Sequence, residues 1–417
     1  MSFAKYLANS NASPSVKRIL QATYDNLYLQ GYMHARNLSA HQLYEYTKRS
    51  LFVKRENLNY RSKAGVKAKA PRAIQGAPPE FIVMVGPWIA SLQKKIKRAW
   101  NCHFSCVYTG GVNAFKAAKH VKQNLWTILE DDISVFDSSI NPELLKLEVW
   151  LCRKFGADRG VLDLMAANIN THGRTSHGIK YKVPGGRKSG DPYTSLFNTI
   201  LNVLMHLFII STSLRWTIDE TLANVRMLAQ GDDNALVYNS TIRIDFNAQM
   251  LLFGFKSEAK YRDTLYDLEF CSCRYYETHG LAVFAPMPGK VLSKLMYFID
   301  PPAVSSAALI RGVALGLYPS CGFIEPIKLY LDKYLKETRG VTPIFVKQEE
   351  WKLKYPNLNL EPDDQIAVSL HLIYMWSSWS KEAFEKELSY PYPRVIDEAT
   401  FDFLFDTDTA GPNYYPK

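Results

Sequence analysis

Asp232 and Asp233 stand side by side in AQGDDNALVY, residues 229 to 238, between an apolar run that ends at Leu228 and another that begins at Ala235. β-favouring residues on both sides of a Gly-Asp-Asp-Asn cluster predict strand, turn, strand. Adjacent anions on such a tip repel each other, and burial pushes one of them toward protonation unless a cation sits beside them. Asp and Gly are also the commonest turn formers, so the pair reads equally as an ordinary surface turn. A chemical role requires a third anion, a nucleotide and a polymer elsewhere in the chain.

The third anion is found upstream, in NLWTILEDDISVFDSSI, residues 124 to 140. The apolar run Leu125 to Leu129 is β-compatible and ends in acids, which predicts Asp132 at a strand's end. Asn141-Pro142-Glu143 then opens an amphipathic helix through Lys154. Asp137 follows Asp132 with Phe136 before it as an apolar plug, too far along the segment to share one metal, so the two acids have different tasks. Asp137 alternatively caps the helix that follows. If Asp132 meets the Asp232 and Asp233 turn, three carboxylates converge with little compensation, and hard divalent cations resolve the repulsion. Mg²⁺ takes one or two protein carboxylates and completes its shell with water and phosphate oxygens. Two such ions about 3.5 to 4 Å apart form the clamp used for phosphoryl transfer.

Between the acidic segments runs VPGGRKSGDPYTSLFNTILN, residues 183 to 202. Gly185, Gly186 and Gly190 make its first half permissive and helical periodicity begins at Thr194, so a mobile loop is expected to feed a helix. Thr194 and Asn198 share a helix face, and Ser189 lies just before it. Hydroxyl and amide groups in that array suit a ribose hydroxyl or a template backbone. The competing reading is helix capping with a satisfied core Asn.

The elements that position these residues belong to a chain of 417 residues and 47.6 kDa, too large for one simple core, so two or three subdomains are expected. A hydrophobic share of 47% and a charged share of 22% exclude a mainly disordered chain. The net charge of +10 is unevenly placed: the first 100 residues carry 17 Lys and Arg against 4 Asp and Glu, and the remainder is close to neutral. A basic N-terminal quarter so poor in acids suits a surface that meets phosphates. Within it QKKIKRAW, residues 93 to 100, reads either as a solvated helix face or as an RNA-tracking surface, with Trp88 and Trp100 flanking it to stack or pack.

Six cysteines without a recognisable signal peptide argue for a reducing compartment, with buried thiols as the default. Cys102, His103, Cys106 and His120 lack the second ligand pair of a zinc finger. No apolar run reaches the roughly 18 residues of a membrane span. The nearest, Leu196 to Ile210, carries Asn198, Asn202 and His206 and is read as a buried helix. With no repeat and no low-complexity linker, the subdomains are expected to interleave. PMPGKVLSK, residues 286 to 294, contains Gly-Lys without Walker spacing and is not read as a second nucleotide site.

Taken together, Asp132-x4-Asp137, then Ser189-Gly190-x3-Thr194-x3-Asn198, then Gly231-Asp232-Asp233 resemble motifs A, B and C of viral RNA-dependent RNA polymerases, in chain order and at plausible separations. KAKAPRAIQG, residues 67 to 76, resembles the basic motif F, with Lys69 and Arg72 in the positions that face incoming triphosphate. GFKSEAKY, residues 254 to 261, resembles motif D, and LEFCSCRYY, residues 268 to 276, resembles motif E, the strand pair gripping the nascent 3′ end. The resemblance covers residues 60 to 295 and, in its PRAIQ and EFCS, is most like positive-strand viruses of the tombusvirus and nodavirus type.

That resemblance implies a mixed α+β, right-hand polymerase fold whose palm is an antiparallel sheet flanked by helices. Fingers would take residues 1–125, palm 126–159, returning fingers 160–185, palm again 186–290, and thumb with tail 291–417. It implies Asp132, Asp232 and Asp233 as ligands of two Mg²⁺ or Mn²⁺ ions, and Asp137 and Asn198 as sensors of the 2′-hydroxyl, assisted by Ser189 and Thr194 in the Ser189-Gly190 loop. Lys69 and Arg72 would neutralise the triphosphate, and either Lys256 or Lys260 would protonate departing pyrophosphate. The implied partners are NTPs, template and product RNA, and viral or host replication proteins. No membrane-spanning segment is expected in this chain, and the implied location is the host cytoplasm, at membrane-associated replication complexes reached through partners. The rival readings are a reverse transcriptase-like polymerase and a non-catalytic RNA-binding replication protein. The tail FDFLFDTDTAGPNYYPK reads as a bland terminus or as a placeholder in the RNA channel.

Overall fold

The computed structural model describes residues 1–32, 38–54, 71–123, 126–278, 281–292, 295 and 303–345. They fall into two compact units: the first takes residues up to 54, 71 to 110 and 131 to 260, the second 111 to 130 and 261 to 345. The interleaving expected from the missing linkers is therefore present, and the fold is mixed α and β.

The first unit is organised by a five-stranded sheet in the order β3-β7-β8-β4-β9, comprising β3 (Cys106–Tyr108), β7 (Val225–Gln230), β8 (Asp233–Tyr238), β4 (Thr127–Ser134) and β9 (Lys256–Arg262). The predicted strand-turn-strand is β7 and β8, paired antiparallel from Val225↔Tyr238 to Gln230↔Asp233 around a turn of Gly231 and Asp232. Gly231 has φ +69°, the sign a two-residue hairpin needs at its first central position. The sheet is not purely antiparallel as expected, because β3 pairs parallel with β7. Strands so distant in sequence are joined by no hairpin, so nothing local enforces antiparallel pairing. The expectation that β4 stops at the acids is also corrected: it continues through Glu130, Asp131 and Asp132 to Ser134.

Helix α9 (Thr194–Leu214) is apolar over most of its circumference and buried along most of its length. It is long and apolar enough to cross a membrane, but most of it is covered by the protein, as the three polar residues in its sequence suggested. Its Leu196, Phe197 and Ile200 pack with Phe81, Val85, Ile89 and Leu92 of α4 (Pro79–Ala99) and with Val161, Leu164 and Met165 of α8 (Arg159–Ala167). The buried positions of α4 recur at three- and four-residue intervals, the period that gathers side chains on one face. Trp88 and Trp100 pack against this core, and Lys97 Nζ lies 4.9 Å from the Tyr108 ring centroid, while Lys94, Lys95 and Arg98 remain exposed. The tryptophans thus serve packing, and only part of the basic cluster faces solvent.

A second sheet, β2-β1-β5-β6, joins β1 (Arg49–Val53), β2 (Ala73–Gly76), β5 (Asn170–Thr175) and β6 (Lys180–Pro184). Helices α1 (Phe3–Asn9), α2 (Pro14–Leu29) and α3 (Ala40–Thr47) precede it, and Phe3, Leu20, Leu27 and Val83 form a small core of their own. Arg49 and Asp191 form a fully buried pair at 2.8 Å, with the Arg49 guanidinium 4.4 Å from the Phe81 ring centroid. Remaining elements of this unit are α6 (Phe136–Ser139), α7 (Pro142–Lys154, capped by Asn141 as predicted), α10 (Ile218–Asn224) and α11 (Phe246–Leu252).

In the second unit, α5 (Ala114–Val121) accompanies a meander of β10 (Glu269–Phe270), β11 (Cys273–Thr278) and β12 (Leu281–Pro286). Its core joins Tyr276, Val283 and Ala285 to Ile310, Val313 and Leu317 of α13 (Ser306–Cys321) and to Ile327 and Leu331 of α14 (Glu325–Glu337), after the short α12 (Pro288–Leu292). Between β10 and β11, Cys271 and Ser272 both have positive φ, 51° and 60°, at positions where such a turn favours Asn and Gly. Of the cysteines expected to be buried, Cys106, Cys152 and Cys321 are; Cys271 is exposed. Residues 346–417, which include the tail at 401–417, lie outside the described residues.

Truncating the fully buried Phe197 tests this core. Phe197→Ala should cost about 3 to 5 kcal/mol, read as a lowered urea midpoint with unchanged slope.

Candidate active site

Two neutral side chains of α9 hold the acidic hairpin by its backbone. Thr199 Oγ1 accepts from the Gly231 N–H at 2.8 Å, and Asn202 Nδ2 donates to the carbonyls of Gly231 (3.1 Å) and Asp232 (2.8 Å). Asn234 Nδ2 donates to Asn202 Oδ1 at 3.2 Å and to the Asp131 carbonyl at 3.1 Å, tying β8 to β4. Asp131 and Asn234 are buried, whereas their neighbours Asp132 and Asp233 are exposed. Because successive strand residues point to opposite faces, Asp132 and Asp233 share the open face of adjacent strands. Asp232, at the turn, is exposed as well. Among the described residues no three His, Cys, Asp or Glu side chains form a ready-made metal cluster, so the carboxylates are neighbours without being gathered.

Behind the open face, Asp131 accepts from Ser257 Oγ of β9 and lies 3.2 Å from His206 Nε2, an ion-pair separation without hydrogen-bond alignment. His206 Nδ1 is 2.9 Å from the Asn202 carbonyl and its ring stacks on Phe246. Thr199, Asn202 and His206 were not picked out as site residues from the sequence, although their spacing of three and four on an apolar helix is the signal that marks one polar stripe. Ser257 and Asp131 share the buried face, which places Lys256 on the same side as Asp132. Lys260 is exposed on that side too, four residues further along β9, about 13 Å at the rise of a strand.

Asp137 lies in α6, just beyond a sharp bend. Val135, the residue before that helix, is left-handed (φ 48°, ψ 41°) and 74% exposed, and its carbonyl accepts from the Ser138 and Ser139 N–H groups. A β-branched residue is a conformational outlier there, and the bend it makes turns Asp137 away from the strand that carries Asp132. Asp137 Oδ1 accepts from Asn198 Nδ2 at 2.8 Å. Burial pushes its carboxyl above the usual carboxylate range, opposed by the Asn198 hydrogen bond and the Arg187 charge and reinforced by Asp232. Asp137 and Asn198, to which the motif resemblance gives one task, are thus hydrogen-bonded neighbours.

The loop expected to be mobile is instead hydrogen-bonded along its length. Gly186 N donates to the Ile140 carbonyl, Arg187 N to that of Asp137, and Gly190 N to that of Gln75, at 2.7, 2.6 and 3.1 Å. Gly190 pairs so closely with β2 that a Cβ there would stand 2.5 Å from the Gln75 carbonyl oxygen. The half-buried Ser189 lies within this loop, and the Thr194 hydroxyl donates back to the Lys188 carbonyl at 2.8 Å. Lys188, buried and donating to the Asn168 carbonyl, has its ammonium brought down to about 7 by burial. Arg72 is exposed at the start of the strand that Gly190 joins, and Lys69 lies outside the described residues.

With this geometry in view, the comparison with known proteins is direct. Residues 11–299 match a family model described as RNA dependent RNA polymerase; the match covers more than half of the chain, and the chain belongs to this family. It is similar to the RNA-directed RNA polymerase of Tobacco necrosis virus (strain D), 27% identical over 335 residues that make up 73% of this chain and 44% of that protein. It is likewise similar to those of Panicum mosaic virus (strain United States/Kansas 109S), 29% over 198 residues (45% and 19%), and Groundnut rosette virus (strain MC1), 30% over 168 residues (37% and 19%). The resemblance read from the motifs therefore holds, and the chain spans less than half the length of these relatives.

The strain at Val135 is directly testable. Val135→Asn, which tolerates the left-handed region, should raise folding stability by about 1 kcal/mol in urea unfolding; a fall would mean that the valine side chain makes packing worth more than the strain.

Proposed function

We propose that this chain performs template-directed RNA synthesis, transferring nucleotides from NTPs to an RNA 3′-hydroxyl. The observation that carries the reading is the Asp232 and Asp233 hairpin, clamped by neutral α9 side chains against the strand bearing Asp132, with the Asp137 and Asn198 pair beside it. The five-stranded sheet serves as palm, the four-stranded sheet with α1 to α4 as fingers, and α13 with α14 as part of the thumb. The finer right-hand boundaries expected from the sequence belong to this proposal.

The exposed carboxylates fit Mg²⁺ or Mn²⁺. They are hard oxygen donors on neighbouring backbone segments, and an ion that takes most of its shell from water and phosphate needs an open seat and no closed cage. Asp132, Asp232 and Asp233 would hold the two ions, which supply charge neutralisation and an activated hydroxyl. The protein's own residues do the rest by positioning. Asp137, aligned by the buried Asn198, presents an acceptor to the sugar hydroxyl, with Ser189 and Thr194 in support. Arg72, with Lys69, meets the triphosphate. Lys256 is the better proton donor to pyrophosphate because it adjoins Ser257, which bonds Asp131 on the strand of Asp132, whereas Lys260 is further along β9.

Base pairing supplies the sequence information, and the basic N-terminal quarter supplies backbone attraction. Other replication proteins are the expected partners, and through them the chain reaches membrane-associated complexes of the host cytoplasm.

Asp232→Asn should lower template-dependent NTP incorporation by several orders of magnitude while RNA retention in a filter-binding assay survives. Unchanged incorporation would remove the metal seat, and a wild-type chain that retains RNA without incorporating NTPs would favour a non-catalytic RNA-binding protein. On one RNA template with purified chain and Mg²⁺, incorporation should be restricted to rNTPs; equal use of dNTPs would favour the reverse transcriptase reading.

A further inference from the structure

We infer that Arg187, gripped by Glu148, is a positioning residue that fixes the orientation of the Asn198 amide and thereby sets the preference of the site for ribose over deoxyribose. The inference rests on the polymerase reading above and extends it to residues outside the recognised motif positions.

The four side chains form one circuit. Glu148 of α7 receives the guanidinium of Arg187 in a two-pronged pair: Nη1 donates to Oε2 at 2.8 Å and Nη2 to Oε1. Arg187 Nε donates to Asn198 Oδ1 at 2.7 Å, and Asn198 Nδ2 donates to Asp137 Oδ1 at 2.8 Å. The Arg187 backbone N–H donates to the Asp137 carbonyl, so one residue holds both the main chain of Asp137 and the partner of its carboxylate.

The orientation of the amide follows from donor and acceptor chemistry. A side-chain amide is nearly symmetric in shape, and its two orientations differ only in which partner meets the oxygen. Arginine has donors only, and an ionised carboxylate has acceptors only. With Arg187 on one side and Asp137 on the other, a flipped Asn198 would set N–H against N–H and oxygen against oxygen. Only one orientation is compatible with both neighbours. Removing Arg187 removes half of that constraint.

The burial pattern indicates where the circuit acts. Arg187, Glu148 and Asn198 are 2%, 1% and 3% exposed, and Asp137 alone is partly exposed. The accessible end is therefore a carboxylate aligned by a buried donor, an acceptor for a hydroxyl. A buried ion pair is an expensive way to stabilise a fold, since apolar side chains of the same volume often serve as well. In this position it supplies something apolar packing cannot, a donor aimed at one atom.

The test compares single-nucleotide incorporation of rNTP and dNTP by the purified full chain carrying Arg187→Met, Glu148→Gln, Asn198→Ala, or Arg187→Met with Asn198→Ala, each checked for folding by urea unfolding. The ratio of kcat/KM for rNTP to that for dNTP should fall at least about tenfold in R187M, mainly through rNTP. In the N198A background, adding R187M should change the ratio less than about twofold, because the amide it orients is gone. A purely structural Arg187 would depress both substrates together, and a folded R187M with the wild-type ratio overturns the inference. Should R187M fail to fold, E148Q, which keeps one of the two acceptors, is expected to lower the ratio about threefold; an unchanged ratio there overturns it equally. A wild-type chain that incorporates neither nucleotide rejects the polymerase reading itself, and the inference with it.

Discussion

Everything at the site depends on a few uncharged hydrogen bonds to the backbone of a hairpin tip. A lysine or arginine could have bonded the Gly231 and Asp232 carbonyls, but its charge would have offset the neighbouring carboxylates, and with no acceptor it could not have received the Gly231 N–H. Thr199 and Asn202 grip the main chain and leave the anions unspent. They can do so because α9 is otherwise buried by apolar contacts, which fixes the helix and makes each polar side chain on it a rigid support. The same polar stripe continues to His206, whose approach to Asp131 locates β4 from behind.

The consecutive acids of β4 show how one sequence run is sorted by environment. Glu130 receives Arg262 and the Glu269 N–H, Asp131 receives Ser257 and approaches His206, and Asp132 stays exposed. Two of the three charges are matched by protein groups and the third faces solvent. Motif spacing singles out Asp132, but periodicity treats all three alike, since the pleat that separates them appears only once the strand is known to run past them.

What could be read from the sequence divides along physical lines. The hairpin, α7 with its Asn141 cap and α9 from Thr194 onward were legible, because turn chemistry, capping and periodicity are local. The pairing of Asp137 with Asn198 came through motif resemblance, which carries long-range information that periodicity lacks. The parallel pairing of β3 with β7, the extension of β4 and the anchoring of the glycine-containing loop were not legible. Each depends on partners distant in the chain, such as Gln75 for Gly190. Arg187 and Glu148 were invisible for the same reason: a buried guanidinium in a loop and a glutamate on an amphipathic helix look like surface charges until the fold brings them together.

The parallel pairing of β1 with β5, Ser50 opposite Arg174, carries a consequence for synthesis of the chain. The first unit draws its core from segments that end only at residue 260, and closing such long loops is slow. At about 5 to 20 residues per second, a ribosome needs on the order of 13 to 50 s to deliver them all. From the completion of α4 at residue 99 until residue 260 is made, its apolar face has no finished core to enter. Until then, that face stays open to misplaced apolar contacts, so the order of synthesis runs against the order in which this core can close.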